Sequence, residues 1–232
     1  MLKLISSMAT RQVLAELAAA WQQVSGVEVS IESVGGVDAA KRVQAGEAFD
    51  GVVLASDVID KLAAGGQVLA GSRVDLVLSS VAVAVKAGAA RPDIGTESAL
   101  RSAIEAAPTI GYSTGPSGVA LVKLFEHWGM LDTLQARIVQ APPGVPVGSL
   151  VAQGKVALGF QQLSELMHLD GITVLGTLPE AVSITTIFSA ATCAVSSQAE
   201  TLGRLLAFMA SSDAAAVKRS HGMEAAAIRA GQ

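Results

Sequence analysis

The chain has few charged residues and few aromatic ones. Charged residues make up 16% of its 232 residues and aromatic residues 3%, and the formal net charge at pH 7 is -4. Lysine and arginine form no cluster, so the basic stripe and the stacking platforms that bind nucleic acids are absent. We therefore expect no nucleic-acid partner.

Cysteine is nearly absent. Cys193 is the single cysteine, which excludes an internal disulfide and a cysteine-based zinc site. Its apolar surroundings predict a buried structural thiol rather than a nucleophile. His127, His168 and His221 lie on separate segments without metal-binding spacing, so we expect no metal and no cofactor.

Long apolar runs and the common nucleotide motifs are missing too. Hydrophobic residues make up 51% of the chain, but polar residues interrupt every stretch of about 18, so we expect no membrane insertion. No phosphate-binding lysine loop, GxGxxG or GxSxG is present, which excludes the commonest nucleotide and hydrolase fingerprints. The N-terminus lacks a signal-peptide pattern, which predicts a cytoplasmic protein, or a periplasmic one if a signal peptide has been removed.

The first part of the chain alternates short strands with amphipathic helices. Strands are predicted at residues 2–5, 27–31 and 50–55, and helices at residues 13–24, 38–45 and 58–64. Ser56 and Asp57 are candidate caps of the third helix. This alternation favours a mainly parallel sheet covered by helices, with ligands beyond the carboxyl ends of the strands.

The same alternation returns later in the chain. Further helices are predicted at residues 97–107, 119–129, 147–153, 198–209 and 213–221, and strands at 109–112, 156–160 and 172–175. Two long apolar runs, 74–86 and 184–195, are suited to carry the chain into a second lobe and back. We predict an α/β fold with two Rossmann-like lobes and a ligand cleft between them. Lobe 1 comprises residues 1–78 and 190–232, and lobe 2 comprises residues 79–189.

Small or polar residues follow four of the predicted strands and precede helices. A helix N-terminus offers unpaired N–H groups and the positive end of a dipole, which favour an anion. Each turn also fits ordinary connection chemistry, since Gly35 and Gly36 suit a turn with positive φ and Ser117 suits a helix N-cap. Four such turns together predict a site for a small anionic ligand, with Ser7, Met8, Ala9, Thr10, Gly35, Gly36, Ser117, Gly118 and Gln162 as candidate binding residues.

Two other features bear on chemistry. Gln161 and Gln162 directly follow a predicted strand, and successive strand residues point to opposite sides, so only one can face a cleft; we favour Gln162. Gln161 equally fits a solvated or capping role. Glu165 and Asp57 are possible acids or bases, although carboxylates at such positions more commonly cap or solvate a helix. No catalytic residue is identified.

The order of these motifs resembles the molybdate-binding-protein-like branch of type II periplasmic solute-binding proteins. The resemblance covers essentially the whole chain and is carried by residues 17–27, 40–46, 49–53, 56–57, 61–62 and 154–159. It implies two α/β lobes joined by crossover segments, an anion held by backbone amides and hydroxyls, and an ABC permease as partner.

The departures from this family concern oxygen donors. Molybdate binders typically place serines where this chain has Ala9 and Gly36, and often a tyrosine where it has Gln162. Ser6, Ser7 or Thr10 would compensate only at a shifted register. We therefore predict a binding protein for a small oxyanion or organic acid, and the departures disfavour molybdate itself.

A second resemblance is to aconitate isomerase, an enzyme group on the same scaffold. It is carried by residues 41–43, 46–50, 92–94, 162–165 and 222–225. It implies an allylic proton shift in a tricarboxylate, which needs carboxylate anchors and an acid/base group. The alternative prediction is thus an isomerase of a small di- or tricarboxylate. A third possibility is an effector-sensing domain like those of LysR-type regulators, which share this fold.

Overall fold

The computed structural model describes residues 1–226, which form alternating strands and helices. The strands are β1 (Leu2–Ser7), β2 (Val29–Val34), β3 (Gly51–Ala55), β4 (Val74–Lys86), β5 (Ile110–Tyr112), β6 (Ile138–Gln140), β7 (Leu158–Gln162), β8 (Ile172–Thr177), β9 (Thr185–Thr192) and β10 (Met223–Ala225). The α-helices are α1 (Arg11–Ser25), α2 (Gly36–Gln44), α3 (Ser56–Ala64), α4 (Glu97–Ala106), α5 (Pro116–His127), α6 (Leu131–Leu134), α7 (Val147–Ala152), α8 (Leu163–Leu166), α9 (Ala199–Ala210) and α10 (Ala215–Ser220). Short 3-10 helices lie at Met8–Thr10, Glu180–Val182 and Ser212–Ala214.

The chain divides into two units. Unit 1 comprises Met1–Ser79 and the chain from Ile187 onward, and unit 2 comprises Ser80–Thr186. The two boundaries lie within the long strands β4 and β9, so both strands contribute to both units. Lobe 2 was predicted at residues 79–189, so the first boundary lies one residue later and the second three residues earlier. Residues 227–232, which the sequence assigns to lobe 1, lie outside the described residues.

Unit 1 is a sheet with helices on both faces. Its strand order is β2-β1-β3-β9-β4, in which β1 is parallel to β2 and β3, and β9 and β10 run antiparallel to β3 and β4. The alternation of side chains along β1 decides which helix each residue meets. Leu4 packs in a cluster with α1 and α9, whereas the next residue, Ile5, packs with α2 and α3.

Unit 2 repeats this layering. β5 is parallel to β6 and β7, and β4 is antiparallel to β7 and β8. One face is covered by α4 and α5, whose Ile104 and Phe125 are buried against Ile110 and Phe160. Val147 and Val151 of α7 and Leu166 of α8 belong to two smaller apolar clusters with residues of the same sheet and its neighbouring segments.

Several element boundaries differ from the predicted ones. β2 and β7 each begin two residues later than predicted and extend further, so Gln161 and Gln162 are the last residues of β7 rather than a turn after it. α5 begins at Pro116, α3 begins at Ser56 with Ala55 as its N-cap, and β4 is continuous through Ser79 and Ser80. Within residues 1–226, no helix combines the length and apolar character needed to cross a bilayer.

Candidate functional site

Three parallel strands of unit 1 end at one edge of its sheet. The register of β1 places Ser7 opposite Val34 and Ser6 opposite Val53. The turns that follow β1, β2 and β3 therefore lie side by side at the carboxyl edge, where α/β folds commonly bind ligands. This edge brings together six of the predicted binding residues, Ser7, Met8, Ala9, Thr10, Gly35 and Gly36.

The hydroxyl groups at this edge differ in burial and in their hydrogen-bond partners. Ser6 is buried and pairs with Ser33 over 2.8 Å, and the buried Thr10 donates to the carbonyl oxygen of Ser7 over 3.0 Å. Ser7 is only half-buried, and its Oγ accepts from the N–H of Ala9 over 3.3 Å. Because Ser7 acts there as an acceptor, its own hydroxyl hydrogen remains able to donate. Of the three hydroxyls that could compensate for Ala9, Ser7 is the best placed.

The Gly35–Gly36 turn does not need glycine for its backbone conformation. Gly35 has φ of -57°, and among the described residues with positive φ neither glycine appears. A β-carbon on Gly36 would make only an ordinary contact, 3.8 Å from Leu54. The tight-turn interpretation with positive φ is therefore wrong for this pair. The glycines instead leave the start of α2 open to close approach by another molecule.

Helices that begin at this edge lack side-chain caps. Neither α2 nor α3 has a side-chain hydrogen bond at its N-cap, Gly35 or Ala55. By contrast, α4 is capped by Thr96, whose hydroxyl accepts from the N–H of Ala99 over 3.1 Å. The first N–H groups of α2 and α3 are thus suited to bind an anion.

Unit 2 presents a comparable edge. β5, β6 and β7 are parallel, so the turn before α5, the loop before α7 and the start of α8 share the carboxyl side of its sheet. The buried Ser117 lies in the first turn of α5, and its hydroxyl pairs with that of Ser113 over 3.1 Å. Ser117 is not the N-cap, which is Gly115. One hydroxyl hydrogen of the serine pair remains able to donate to a ligand.

The two glutamines at the end of β7 are both buried and point to opposite faces. Gln162 donates through Nε2 to the Thr186 hydroxyl over 2.9 Å. Gln161 accepts from the N–H of Gly148 over 3.3 Å and donates through Nε2 to Glu165 Oε1 over 2.9 Å. The solvated role considered for Gln161 is therefore wrong, whereas the capping role is supported, because its Oε1 accepts from an N–H in the first turn of α7.

Glu165 is the carboxyl group that the sequence left undecided. Its Oε1 accepts a hydrogen bond from Gln161 Nε2. Burial raises the pKa of Glu165 to about 7, although the hydrogen bond from Gln161 partly opposes this rise. Asp57, the other undecided carboxylate, is exposed and forms an ion pair with Lys61 over 3.4 Å, as expected for a helix surface. Spacing could not reveal the difference, because the burial of Glu165 depends on α7 and β8 packing around α8.

The remaining groups considered for a chemical role are the Cys193 thiol and side chains that could bind a metal. Cys193 is buried, and burial raises its pKa to about 12, which makes it a poor nucleophile. In the part of the chain that the structure describes, no three histidine, cysteine, aspartate or glutamate side chains come together as a metal site.

A family comparison decides the class of the protein. The model of the bacterial extracellular solute-binding proteins matches residues 2–224, almost the whole chain. The chain belongs to this family. Its α/β units, each with helix starts at the carboxyl edge of a sheet, are those of the type II periplasmic solute-binding fold.

The proteins to which this chain is similar differ in the activity or ligand that their names give. A curated aconitate isomerase from Pseudomonas sp. is 36% identical over 228 residues, which cover 96% of this chain and 87% of that protein. The periplasmic molybdate-binding protein of Azotobacter vinelandii superposes with a TM-score of 0.79 at 22% identity, covering 96% of this chain and 98% of that one. A tungstate ABC transporter structure from Geobacter sulfurreducens gives 0.72 at 16% identity, with coverage of 94% and 97%. The two structures establish the fold of this solute-binding protein, and the curated relative is similar along nearly its full length.

Proposed function

We propose that this solute-binding protein binds a small organic acid with two or three carboxylates. The observation that carries the proposal is the chemistry of the unit 1 edge, where the uncapped starts of α2 and α3 supply N–H donors but Ala9 and Gly36 supply no hydroxyl. Carboxylates accept hydrogen bonds readily from helix N-termini. For a tetrahedral oxyanion, this site lacks the two serine hydroxyls that molybdate binders typically have at the positions of Ala9 and Gly36.

Further groups suit an anion at this edge. Ser7 keeps a hydroxyl hydrogen, and the exposed Arg11 begins α1 immediately after the turn, without an ion-pair partner among residues 1–226. A cation at a helix start is unfavourable unless an anion is near. Ser117 and Gln162 are the donors that we assign to ligand binding in unit 2, beside the backbone at Gly118.

A thermal-shift screen tests the proposal. We expect citrate and the aconitates to raise the Tm by roughly 5–10 °C at about 100 times their Kd, and molybdate, tungstate, sulfate and phosphate to raise it much less. Ser7→Ala should weaken the shift, and Ser30→Ala, on the exposed side of β2, should not. A strong shift with molybdate and none with the carboxylates would overturn the proposal.

A second candidate function is isomerisation of an unsaturated tricarboxylate. The identity of 36% with an aconitate isomerase favours it, and the neutral-range pKa of Glu165 supplies an acid/base group of the kind an allylic proton shift needs. Incubation with cis- and trans-aconitate, followed by NMR, tests it. Interconversion supports an enzyme, and tight binding without interconversion supports a binding protein only.

A permease partner belongs with the first function. The tungstate protein is named as part of an ABC transporter, and we propose the same kind of partner here if the protein delivers its ligand to a membrane. Co-purification with a permease encoded nearby, strengthened by the carboxylate ligand, would support this. An isomerase has no need of such a partner.

A further inference from the structure

Glu165 sits at the carboxyl edge of unit 2 with one oxygen engaged and one available. Its Oε1 accepts from Gln161 Nε2 over 2.9 Å, and Gln161 Oε1 in turn accepts from the Gly148 N–H over 3.3 Å. Oε2 has no hydrogen-bond partner among residues 1–226. The carboxyl group is therefore held in position by a chain of amides that leads back to the start of α7.

Within residues 1–226, the elements that pack around α8 carry no ionisable side chain. β7, α7 and β8, which pack around α8, consist entirely of uncharged residues. In the apolar cluster that includes Leu166, the contacts from β4 are Ala82 and Ala84. His168 and Asp170, which follow α8 in the chain, are both exposed. A carboxyl group without a cation nearby can lose and regain a proton, because neither state is fixed by an ion pair.

We propose that Glu165 is the catalytic acid and base of the isomerisation, exchanging one proton with the substrate through Oε2. The proposal rests on the second function proposed above. Glu165 lies on the short helix that begins where β7 ends, and its partner Gln161 reaches the N–H of Gly148 at the start of α7, so Glu165 lies at the carboxyl edge of the unit 2 sheet. Gln161 is a positioning residue, since it acts on the substrate only through Glu165.

The proton shift balances without a further reactant. Ionised Glu165 takes a proton from the methylene carbon of the tricarboxylate as that C–H bond breaks, and the electron pair forms a new double bond to the central carbon. The old double bond supplies the pair for a new C–H bond at the former vinylic carbon, to which Glu165 returns the proton. Glu165 is thus ionised again at the end of the cycle.

A single substitution separates the proton transfer from binding. Glu165→Gln keeps the shape and the acceptor for Gln161 but cannot take a proton. In deuterated water, wild-type protein should interconvert cis- and trans-aconitate, and exchange of the Glu165 carboxyl hydrogen with solvent before it is returned should introduce deuterium at the allylic carbons. We expect E165Q to lose both by at least about 100-fold, while the Tm shift with trans-aconitate stays within a few degrees of wild type. Glu105→Gln, on the exposed side of α4, should behave as wild type.

The outcomes distinguish the two proposals. Interconversion by E165Q within tenfold of the wild-type rate would overturn the role of Glu165 and leave the isomerase function standing. Wild-type protein that binds aconitate without interconversion or deuterium uptake would overturn the isomerase function itself. If E165Q does not fold, Gln161→Leu decides, because loss of the hydrogen bond that lowers the pKa of Glu165 should move the pH midpoint of kcat upward. An unchanged midpoint in an active Q161L variant would contradict the proposal.

Discussion

Gly118 packs directly against the backbone of Ser113. A β-carbon on residue 118 would overlap the carbonyl oxygen of Ser113 and would also press on the ring of Tyr112. This close approach fixes the turn that presents Ser117 at the start of α5. Glycine is required here by space rather than by backbone conformation, since Gly118 has no positive φ.

Gly118→Ala should therefore destabilise unit 2 and weaken ligand binding. We expect a loss of about 2–3 kcal/mol in the free energy of unfolding, because overpacking forces backbone movement. Urea unfolding measures it. Gly203→Ala is the matched control, since a β-carbon there meets nothing within 4 Å in helix α9. That variant should instead gain about 0.5–1 kcal/mol, and an equal loss in both variants would contradict the packing argument.

Glu165→Gln should change how stability depends on pH. Glu165 has a pKa of about 7 in the folded protein against an ordinary value of 4.5, so the folded state holds more protons between these values. The free energy of unfolding of the wild type therefore falls as pH rises from about 4.5 through 7, by on the order of 2–3 kcal/mol. E165Q lacks this fall and should be the more stable protein at pH 8. If the free energies of unfolding of E165Q and wild type differ by the same amount at pH 5 and at pH 8, the prediction is refuted.

Serines at positions 9 and 36 should restore affinity for a tetrahedral oxyanion. Gly36 has room for a side chain and Ala9 is already a small residue at the same edge. Each hydroxyl that reaches a charged oxygen is worth about 1.5–3 kcal/mol, so Ala9→Ser with Gly36→Ser should tighten molybdate binding at least tenfold. Calorimetric titration with molybdate and with citrate measures the affinities of the double variant and of the wild type for each ligand. Ser30→Ala serves as the neutral control, and no gain in molybdate affinity would show that the hydroxyls do not determine the choice.

Lys218 offers a separate test in unit 1. Its side chain is buried, its Nζ has no hydrogen-bond partner among residues 1–226, and burial lowers its pKa. Lys218→Met should raise the free energy of unfolding by about 1–3 kcal/mol at pH 7. The lowered pKa means that wild-type stability rises with pH toward the ordinary value of 10.5, so the gain should shrink in alkali. Lys41→Met, an exposed lysine of α2, should change stability little, and a comparable gain there would contradict the burial argument.

The sequence predicted the fold class because alternating strands and helices carry a strong periodic signal. It located the carboxyl-edge turns of β1 and β2 for the same reason. It placed β7 two residues too early, since Val156 is as apolar as a strand residue. Pairing of Leu158 with Ile110 decides where that strand begins. The short β6, α6 and β10 were not predicted, because elements of three or four residues form only through their neighbours.

The sequence named Glu165 as a possible acid or base but left its role undecided, for a different physical reason. The burial of Glu165 depends on Gln161 and on Gly148, which is 13 residues away from that glutamine along the chain. Periodicity reports which face of an element is apolar, but it cannot report that two amides and a carboxyl group meet. Short helices such as α8 also show too few residues to reveal a buried face.

The continuous strands β4 and β9 have a consequence for synthesis on the ribosome. Unit 2 is one uninterrupted stretch, Ser80–Thr186, whereas unit 1 lacks β9 and α9 until the chain beyond Ile187 has emerged. At translation rates of about 5–20 residues per second, the edge of β3 that pairs with β9 stays uncovered for roughly 7–27 s. During that interval β3 is an apolar strand without its neighbour, and a chaperone that shields it would raise the yield of folded protein.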